Sequence, residues 1–204
     1  MNSNNLLVVF ARTPISGCVK TRLAKSIGNQ AALWIYQKLL NKTSETILSE
    51  QYHTAFFFDS KLKNQSPIQN KPRYIQTQKG ETLGQRMENA ILWGFDKSYK
   101  KVIIIGSDLW DIKMNLIENA FTQLEHNDFV IGPSLDGGYY LLGQKRHFTS
   151  LFENICWGSS VVFDQTVNKI SDKKVFLLEP KNDIDTFEDL KKEKELYNLY
   201  KNTL

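Results

Sequence analysis

Short apolar runs recur along the chain and alternate with segments of helical periodicity. Residues 6–10 and 102–105 are continuous apolar runs with polar residues close by, which is typical of strands buried on both faces of a parallel sheet. Residues 102–105 are predicted to form a central strand. The remaining predicted strands are 54–58, 73–76, 129–132, 139–142 and 175–178, with 139–142 returning from a tight turn.

Helices are predicted between these strands. Apolar residues three and four apart recur over 29–50, 116–124 and 161–170, and Met87, Ile91 and Phe95 share one helical face. A helix is also expected after the loop that follows the first strand, and another near the C-terminus through Leu190 and Leu196. Strands that alternate with helices predict an α/β fold around a mostly parallel sheet.

Composition narrows the class of protein. The 204 residues are 41% hydrophobic and 24% charged, which predicts one folded domain over residues 1–204. The net charge of +4 is spread along the chain, so a nucleic-acid partner is not expected. Cys18 and Cys156 lie in no metal-binding or disulfide spacing. No segment is apolar enough for a signal peptide or a membrane span, and we expect a cytoplasmic protein without a membrane partner.

Asp108 closes the sequence GSD directly after the predicted central strand. In open α/β sheets the carboxyl ends of parallel strands line the ligand-binding crevice. A carboxylate at that position is suited to holding a divalent cation that bridges nucleotide phosphates. The alternative is that Asp108 only caps the helix that follows.

The loop after the first strand carries three cations and a glycine. Arg12, Lys20 and Arg22 surround a turn that contains Gly17. Cations and backbone amides in this position suit a diphosphate or triphosphate, although the order of residues matches neither a Walker loop nor GxGxxG. The alternative is a solvated basic loop.

A second glycine-flanked helix entry follows the third predicted strand. Gly80 and Gly84 precede the helical face, and Arg86 lies in its first turns. Gly84 and Arg86 are therefore candidates for contact with a base or phosphate. Arg86 is equally able to pair with Glu81 or Glu88 on the surface.

Two acidic motifs lie in the last third of the chain. Asp136 precedes two glycines in a tight turn, which also has the plain interpretation of a hairpin. Asp183 and Asp185 are two residues apart, so an extended segment places both on one side, where they can share a hard cation with Asp108. Thr186 and Asp189 resemble a capping box that opens the C-terminal helix.

Five motifs in this order resemble one bacterial family, known as DUF2064 and labelled a glycosyltransferase associated with radical-SAM and arsenosugar biosynthesis. The motifs span nearly the whole chain and read FARTPISGCVKTRL, GETLGQRM, GSDLWD, GPSLDGGYYLLG and NDIDTFEDL. The family resembles the nucleotide-diphospho-sugar transferase superfamily and is similar to molybdenum-cofactor and phospholactate nucleotidyltransferases. The resemblance implies a GT-A, Rossmann-like three-layer fold.

The resemblance also implies a function. It places a nucleotide at Arg12, Lys20 and Arg22 and Mg²⁺ or Mn²⁺ at Asp108, with Asp183 and Asp185 matching a metal-binding D-x-D. We expect transfer of a glycosyl group from a nucleotide sugar to a small acceptor, with Asp136 orienting or deprotonating the acceptor hydroxyl.

Two other functions stay open: nucleotidyl transfer that releases pyrophosphate, and nucleotide binding without catalysis. The oligomeric state is also open. Trp110 stands where the family has proline, which predicts a narrowed acceptor pocket.

Overall fold

A computed structural model describes residues 3–62 and 66–203. The strands are β1 Asn5–Ala11, β2 His53–Phe58, β3 Tyr74–Thr77, β4 Lys101–Ile105, β5 Phe129–Pro133, β6 Tyr139–Gln144 and β7 Val175–Leu177. The α-helices are α1 Thr21–Ile27, α2 Asn29–Thr46, α3 Leu83–Asp96, α4 Met114–His126, α5 Val162–Lys169, α6 Phe187–Lys192 and α7 Lys194–Lys201, and a 3₁₀ turn spans Thr149–Phe152.

The strands form one sheet in the order β3-β2-β1-β4-β6-β5-β7. Strand β6 runs antiparallel to β4 and β5, and the other neighbouring strands are parallel. The carboxyl ends of the six parallel strands therefore meet at one edge of the sheet, here called the carboxyl edge, and the β5–β6 turn opens there as well. The opposite edge is called the amino edge.

Helices cover both faces of the sheet because successive strand residues point to opposite sides. In β1, Leu7 and Val9 belong to the core cluster that includes α2 and α4 residues, whereas Leu6 and Val8 belong to the cluster that includes α3 residues. All four are fully buried. The three layers and the mostly parallel sheet confirm the predicted fold class.

A third apolar cluster lies beside the sheet and joins the two ends of the chain. It combines residues of α1 and α2 with residues of α6 and α7, together with Trp110 and Ile184. The indole of Trp110 donates to Glu195 Oε2 at 3.0 Å. Trp110 is 8% exposed, so its ring packs in this cluster.

Two predicted helix ends differ from the structure. Helix α2 ends at Thr46 rather than residue 50, and beyond it Ser49 donates to Glu118 and accepts from the Gln51 amide. The predicted C-terminal helix is divided at Glu193, whose ψ of 80° leaves the helical region. In the described ranges, no helix has the length and apolar character needed to span a membrane.

Candidate functional site

The side chain of Lys20 joins two aspartates at the carboxyl edge. Its Nζ lies 2.8 Å from Asp108 Oδ1 and 3.1 Å from Asp185 Oδ1. The Lys20 side chain is only 3% exposed, whereas both carboxylates are 41% exposed. The cation is therefore enclosed, and the carboxylates face the solvent.

The topology of the sheet explains this meeting. Lys20 follows β1 and Asp108 follows β4, and these strands are neighbours. The chain proceeds from β1 to β2 and β3 on one side and then crosses to β4 on the other. The crevice between β1 and β4 is thus the topological switch point, where open α/β sheets bind ligands.

The segment that carries Asp185 is held beside β4 by the backbone. The Ile184 amide donates to the Asp108 carbonyl at 3.1 Å. The Ile184 side chain is fully buried in the third cluster. The predicted capping box is present at Thr186, so the residue directly after Asp185 is the N-cap of α6. A backbone hydrogen bond therefore keeps the residue next to Asp185 beside Asp108.

The two carboxylates keep Lys20 charged. Burial disfavours an ammonium ion, but the negative charges of Asp108 and Asp185 and their hydrogen bonds outweigh it and raise the pKa of Lys20. The Lys20 backbone is left-handed, with φ 47° and ψ 45°. A lysine in that conformation stores strain, which the surrounding contacts must offset.

Asp183 lies near the same group of charges, and no cation among the described residues forms an ion pair with it. Its Oδ2 accepts from the Ser134 hydroxyl at 3.0 Å. Burial and the negative charge of Asp108 raise the pKa of Asp183 to about 7, and Asp136 adds to this effect. A cation bound beside Asp183 and Asp108 would relieve their repulsion.

Asp136 lies in the turn between β5 and β6, which confirms the hairpin interpretation. Its Oδ1 accepts from the Gly138 amide at 2.9 Å. Gly137 has φ +89°, and a Cβ there would lie 2.0 Å from the Ser160 carbonyl oxygen. The Phe163 amide also donates to the Gly137 carbonyl at 2.8 Å. The turn is thus fixed by Ser160 and by the first turn of α5.

The backbone of Arg12 is clamped by a buried tyrosine. The Tyr36 hydroxyl accepts from the Arg12 amide at 2.7 Å and lies 2.9 Å from the Arg12 carbonyl oxygen, to which it donates. The same hydroxyl lies 3.4 Å from Ser107 Oγ. Tyr36 therefore connects the loop after β1 to the loop after β4.

The other residues of the first loop lie further out. The Arg22 guanidinium is 68% exposed and 3.8 Å from Asp185 Oδ2. Arg12 Nη1 donates to the Cys18 carbonyl at 3.4 Å. Gly17 has φ +80° beside the turn in which the Cys18 amide donates to Ile15. The two arginines are thus the cations of this loop that remain open to a ligand.

Gly84 and Arg86 have local roles at the start of α3. A Cβ on Gly84 would lie 2.8 Å from Trp157 Nε1, so close packing requires glycine there. Arg86 Nε donates to the Gly80 carbonyl at 2.9 Å, and the alternative pairing with Glu81 or Glu88 is not formed. Their predicted contact with a nucleotide stays a prediction.

One other expectation meets a different structure. Asp108 does not cap the following helix, since α4 begins at Met114 with Lys113 at its N-cap. Trp110 packs in the third cluster and also lines a surface cavity with Lys42 and Asp111, and its predicted effect on an acceptor stays a prediction.

Sequence reasoning missed three polar residues of this edge. Ser134 holds Asp183, and Tyr36 holds Arg12. Asp59 follows β2 and accepts from the Thr13 amide at 2.7 Å. Asp59 could have been found from the sequence, because it comes directly after a buried strand. Tyr36 lies in a helix, and its position in the sequence does not indicate a role at this edge.

The site has the chemistry for a divalent cation but not its geometry. Among the described residues, no group of three or more His, Cys, Asp or Glu side chains is arranged to hold a metal ion. Lys20 instead occupies the space between Asp108 and Asp185. The carboxylates nevertheless repel one another, since the negative charges of Asp108 and Asp136 raise the pKa of Asp183. Carboxylate oxygens are the ligands that Mg²⁺ and Mn²⁺ prefer, so the donor set fits.

The fold and this edge define a Rossmann-like α/β protein with a charged crevice at its switch point. The DUF2064 family model, described as an uncharacterized protein conserved in bacteria, matches residues 45–159. The chain belongs to this family. None of the curated proteins compared with the chain matches it.

Solved structures share the whole fold. The chain is similar to a protein from Desulfovibrio desulfuricans G20, provisionally named a nucleotide-diphospho-sugar transferase, with a TM-score of 0.86, 26% identity and coverage of 98% of this chain and 99% of that chain. It is similar in fold to 4-diphosphocytidyl-2C-methyl-D-erythritol synthase from Anaerococcus prevotii, with a TM-score of 0.57, 11% identity and coverage of 96% and 97%. It is also similar in fold to a cytidylyltransferase from Leptospira borgpetersenii, with a TM-score of 0.55, 13% identity and coverage of 99% of this chain and 95% of that chain.

Proposed function

We propose that this protein is a metal-dependent glycosyltransferase that takes a nucleotide sugar as donor and a small molecule as acceptor. The observation that carries the proposal is the ionic cluster of Lys20, Asp108 and Asp185 at the switch point of the sheet. The switch point is where this fold class binds nucleotides. The similar protein from Desulfovibrio, provisionally named as a transferase of this type, supports the same function.

The chain's own residues divide the work. Asp108, Asp183 and Asp185 would hold Mg²⁺ or Mn²⁺, which neutralises the departing nucleoside diphosphate. Arg12 and Arg22 are open to the phosphates, and their charge-assisted bonds would orient the diphosphate.

Asp136 is the proposed acceptor residue. One of its oxygens accepts from the Gly138 amide, which fixes the carboxylate within the anchored turn. It lies close enough to Asp183 to affect the pKa of that carboxyl group. A carboxylate held beside the donor site is placed to orient or deprotonate an acceptor hydroxyl.

Nucleotidyl transfer is the second candidate, favoured by the cytidylyltransferases among the fold relatives. In that reaction a phosphorylated acceptor attacks the α-phosphorus of a nucleoside triphosphate and pyrophosphate leaves. In glycosyl transfer, by contrast, the bond between the sugar carbon and the diphosphate breaks, and a nucleoside diphosphate leaves. One scaffold supports both reactions, so the products must decide.

The deciding experiment is a donor panel. Nucleotide sugars and nucleoside triphosphates are incubated with the protein, candidate acceptors and Mn²⁺ or Mg²⁺, and released nucleoside diphosphate and pyrophosphate are assayed separately. We expect acceptor-dependent nucleoside diphosphate from a nucleotide sugar. Pyrophosphate from a triphosphate, with nucleotide sugars intact, would establish the second candidate. Tight nucleotide binding with no product would indicate a binding protein.

A further inference from the structure

The proposed metal ligands are already engaged. Asp108 and Asp185 each hold Lys20 through Oδ1. An ammonium ion and a divalent cation compete for the same carboxylate oxygens, because both are attracted by the same charge. A metal that binds both aspartates must therefore displace Lys20 from at least one of them.

The position of Lys20 suits a group that can move. Its backbone is left-handed, a conformation that costs a non-glycine residue about 1 kcal/mol or more. No side chain caps α1, which begins at the next residue. The ammonium group is held by two ion pairs, and a ligand that replaces them removes that restraint.

We propose that Lys20 is an exchangeable internal counter-ion for the metal site. In the ligand-free protein its ammonium neutralises Asp108 and Asp185. When a divalent cation enters with the nucleotide, Lys20 leaves these carboxylates and contacts the donor phosphates. This inference rests on the proposed function and specifies how its site is assembled.

Cooperative binding follows from this exchange. A divalent cation alone binds weakly, because it must expel a buried ammonium that then has no partner. A nucleoside diphosphate alone is repelled by the carboxylates. Bound together, each supplies the charge that the other needs, so each raises the affinity of the other by the same factor.

The first test removes the charge of Lys20 and keeps its length. Lys20→Met preserves an unbranched apolar stem in an enclosed position. By calorimetry, we expect the variant to bind Mn²⁺ alone about tenfold more tightly than the unaltered protein, and Mn²⁺ with UDP or GDP about tenfold more weakly. Unchanged or weaker binding of Mn²⁺ alone would overturn the proposal.

Lys181→Met is the matched control. Lys181 is also largely buried, at 18% exposed, and its Nζ lies 2.8 Å from Asp111 Oδ2. Loss of this ion pair should leave both affinities unchanged. An equal rise in Mn²⁺ affinity in the control would show a general charge effect and overturn the proposal.

The second test uses the unaltered protein, so it does not depend on the folding of a variant. Acylation of lysine amines is followed residue by residue with mass spectrometry. We expect slow acylation of Lys20 without ligands, at least about tenfold faster acylation with saturating Mn²⁺, and protection again when UDP or GDP is added. Lys101, which pairs with Glu125 at the amino edge, is the internal control and should not respond. A Lys20 rate unaffected by Mn²⁺ would overturn the proposal.

The two proposals fail in different ways. If the donor panel yields product while the acylation rate of Lys20 does not change with Mn²⁺, the counter-ion proposal is wrong and the proposed transferase function is retained. If the acylation rate of Lys20 changes with Mn²⁺ and nucleotide as expected while no donor is consumed, the proposed transferase function is wrong and the counter-ion proposal is retained.

Discussion

The two edges of the sheet both carry polar clusters, but they differ in how their charges are paired. At the amino edge His53 Nδ1 lies 2.7 Å from the Tyr99 hydroxyl, which donates to the Tyr74 hydroxyl at 3.4 Å. Arg73 donates to the same Tyr74 oxygen at 3.1 Å.

Two ion pairs at the amino edge each join one cation to one carboxylate. Lys101 pairs with Glu125, and Arg146 lies 3.7 Å from Asp128. At the carboxyl edge, by contrast, Lys20 serves two aspartates, and Asp183 accepts from a hydroxyl rather than a cation. One-to-one pairs serve stability, whereas two carboxylates that share one cation at a switch point indicate a site for a charged ligand.

The largest effect is expected where the Asp136 turn is anchored. Gly137→Ala places a Cβ against the Ser160 backbone and should reduce the free energy of unfolding by about 3 kcal/mol or more. Gly28→Ala is the control, since Gly28 has a similar φ of +83° and nothing within 4 Å of its Cβ position. Urea denaturation should give a cost of about 1 to 2 kcal/mol for the control. Equal costs would mean that the turn is not anchored by Ser160.

The next comparison removes one hydroxyl from each of two buried tyrosines. Tyr36→Phe leaves the Arg12 amide without its partner and should cost about 1 to 3 kcal/mol of unfolding free energy. The Tyr52 hydroxyl is buried and has no hydrogen-bond partner within the described ranges, so Tyr52→Phe should be neutral or stabilising. Equal unfolding midpoints for the two variants would contradict the clamp at Arg12.

Two exposed arginines, one at each edge, allow the nucleotide affinity of the two edges to be compared. Arg22 is 68% exposed and 3.8 Å from Asp185, and Arg146 is 70% exposed and 3.7 Å from Asp128. Arg22→Ala should lower the affinity for UDP or GDP with Mn²⁺ about tenfold, whereas Arg146→Ala should leave it unchanged. Neither should alter stability by more than about 1 kcal/mol, because exposed pairs contribute little. Equal nucleotide affinities would mean that the first loop is a solvated surface.

The smallest effect concerns the segment that carries Asp183 and Asp185. Burial favours a neutral Asp189, but hydrogen bonds from Thr186, Asn182 and Lys192 outweigh it and lower the pKa of Asp189 to about 2. A lowered pKa stabilises the folded state above the unfolded value of about 3.8, and the gain is lost as the pH falls toward 2.

Asp189→Ala should therefore cost about 1 kcal/mol at neutral pH. The difference from the unaltered protein should shrink below about pH 4. Urea midpoints measured from pH 7 to pH 3 check this, and a difference that does not depend on pH would be at odds with an ionised cap.

Much of the fold was predictable, because burial on two faces leaves a clear mark on the sequence. All seven strands and the carboxyl-edge positions of Asp108 and Asp136 follow from apolar runs and turn residues. The capping box at Thr186 was predictable from residue spacing.

The partner of Lys20 was not predictable from the sequence. Its charge suggested a phosphate, and only the tertiary structure brings Asp185, 165 positions away, within bonding distance. Gly84 looked like a ligand contact for a similar reason, since glycine serves close packing against Trp157 and close approach of a ligand equally well.

The binding expected at the carboxyl edge is that of a divalent cation together with a nucleoside diphosphate. It is tested most directly by the thermal stability of the protein in Mn²⁺ with UDP or GDP, compared with Asp108→Asn and with Asp111→Asn, whose side chain pairs with Lys113 and Lys181. We expect a concentration-dependent rise in Tm that is largely lost in Asp108→Asn and kept in Asp111→Asn. An unchanged rise in Asp108→Asn would contradict it.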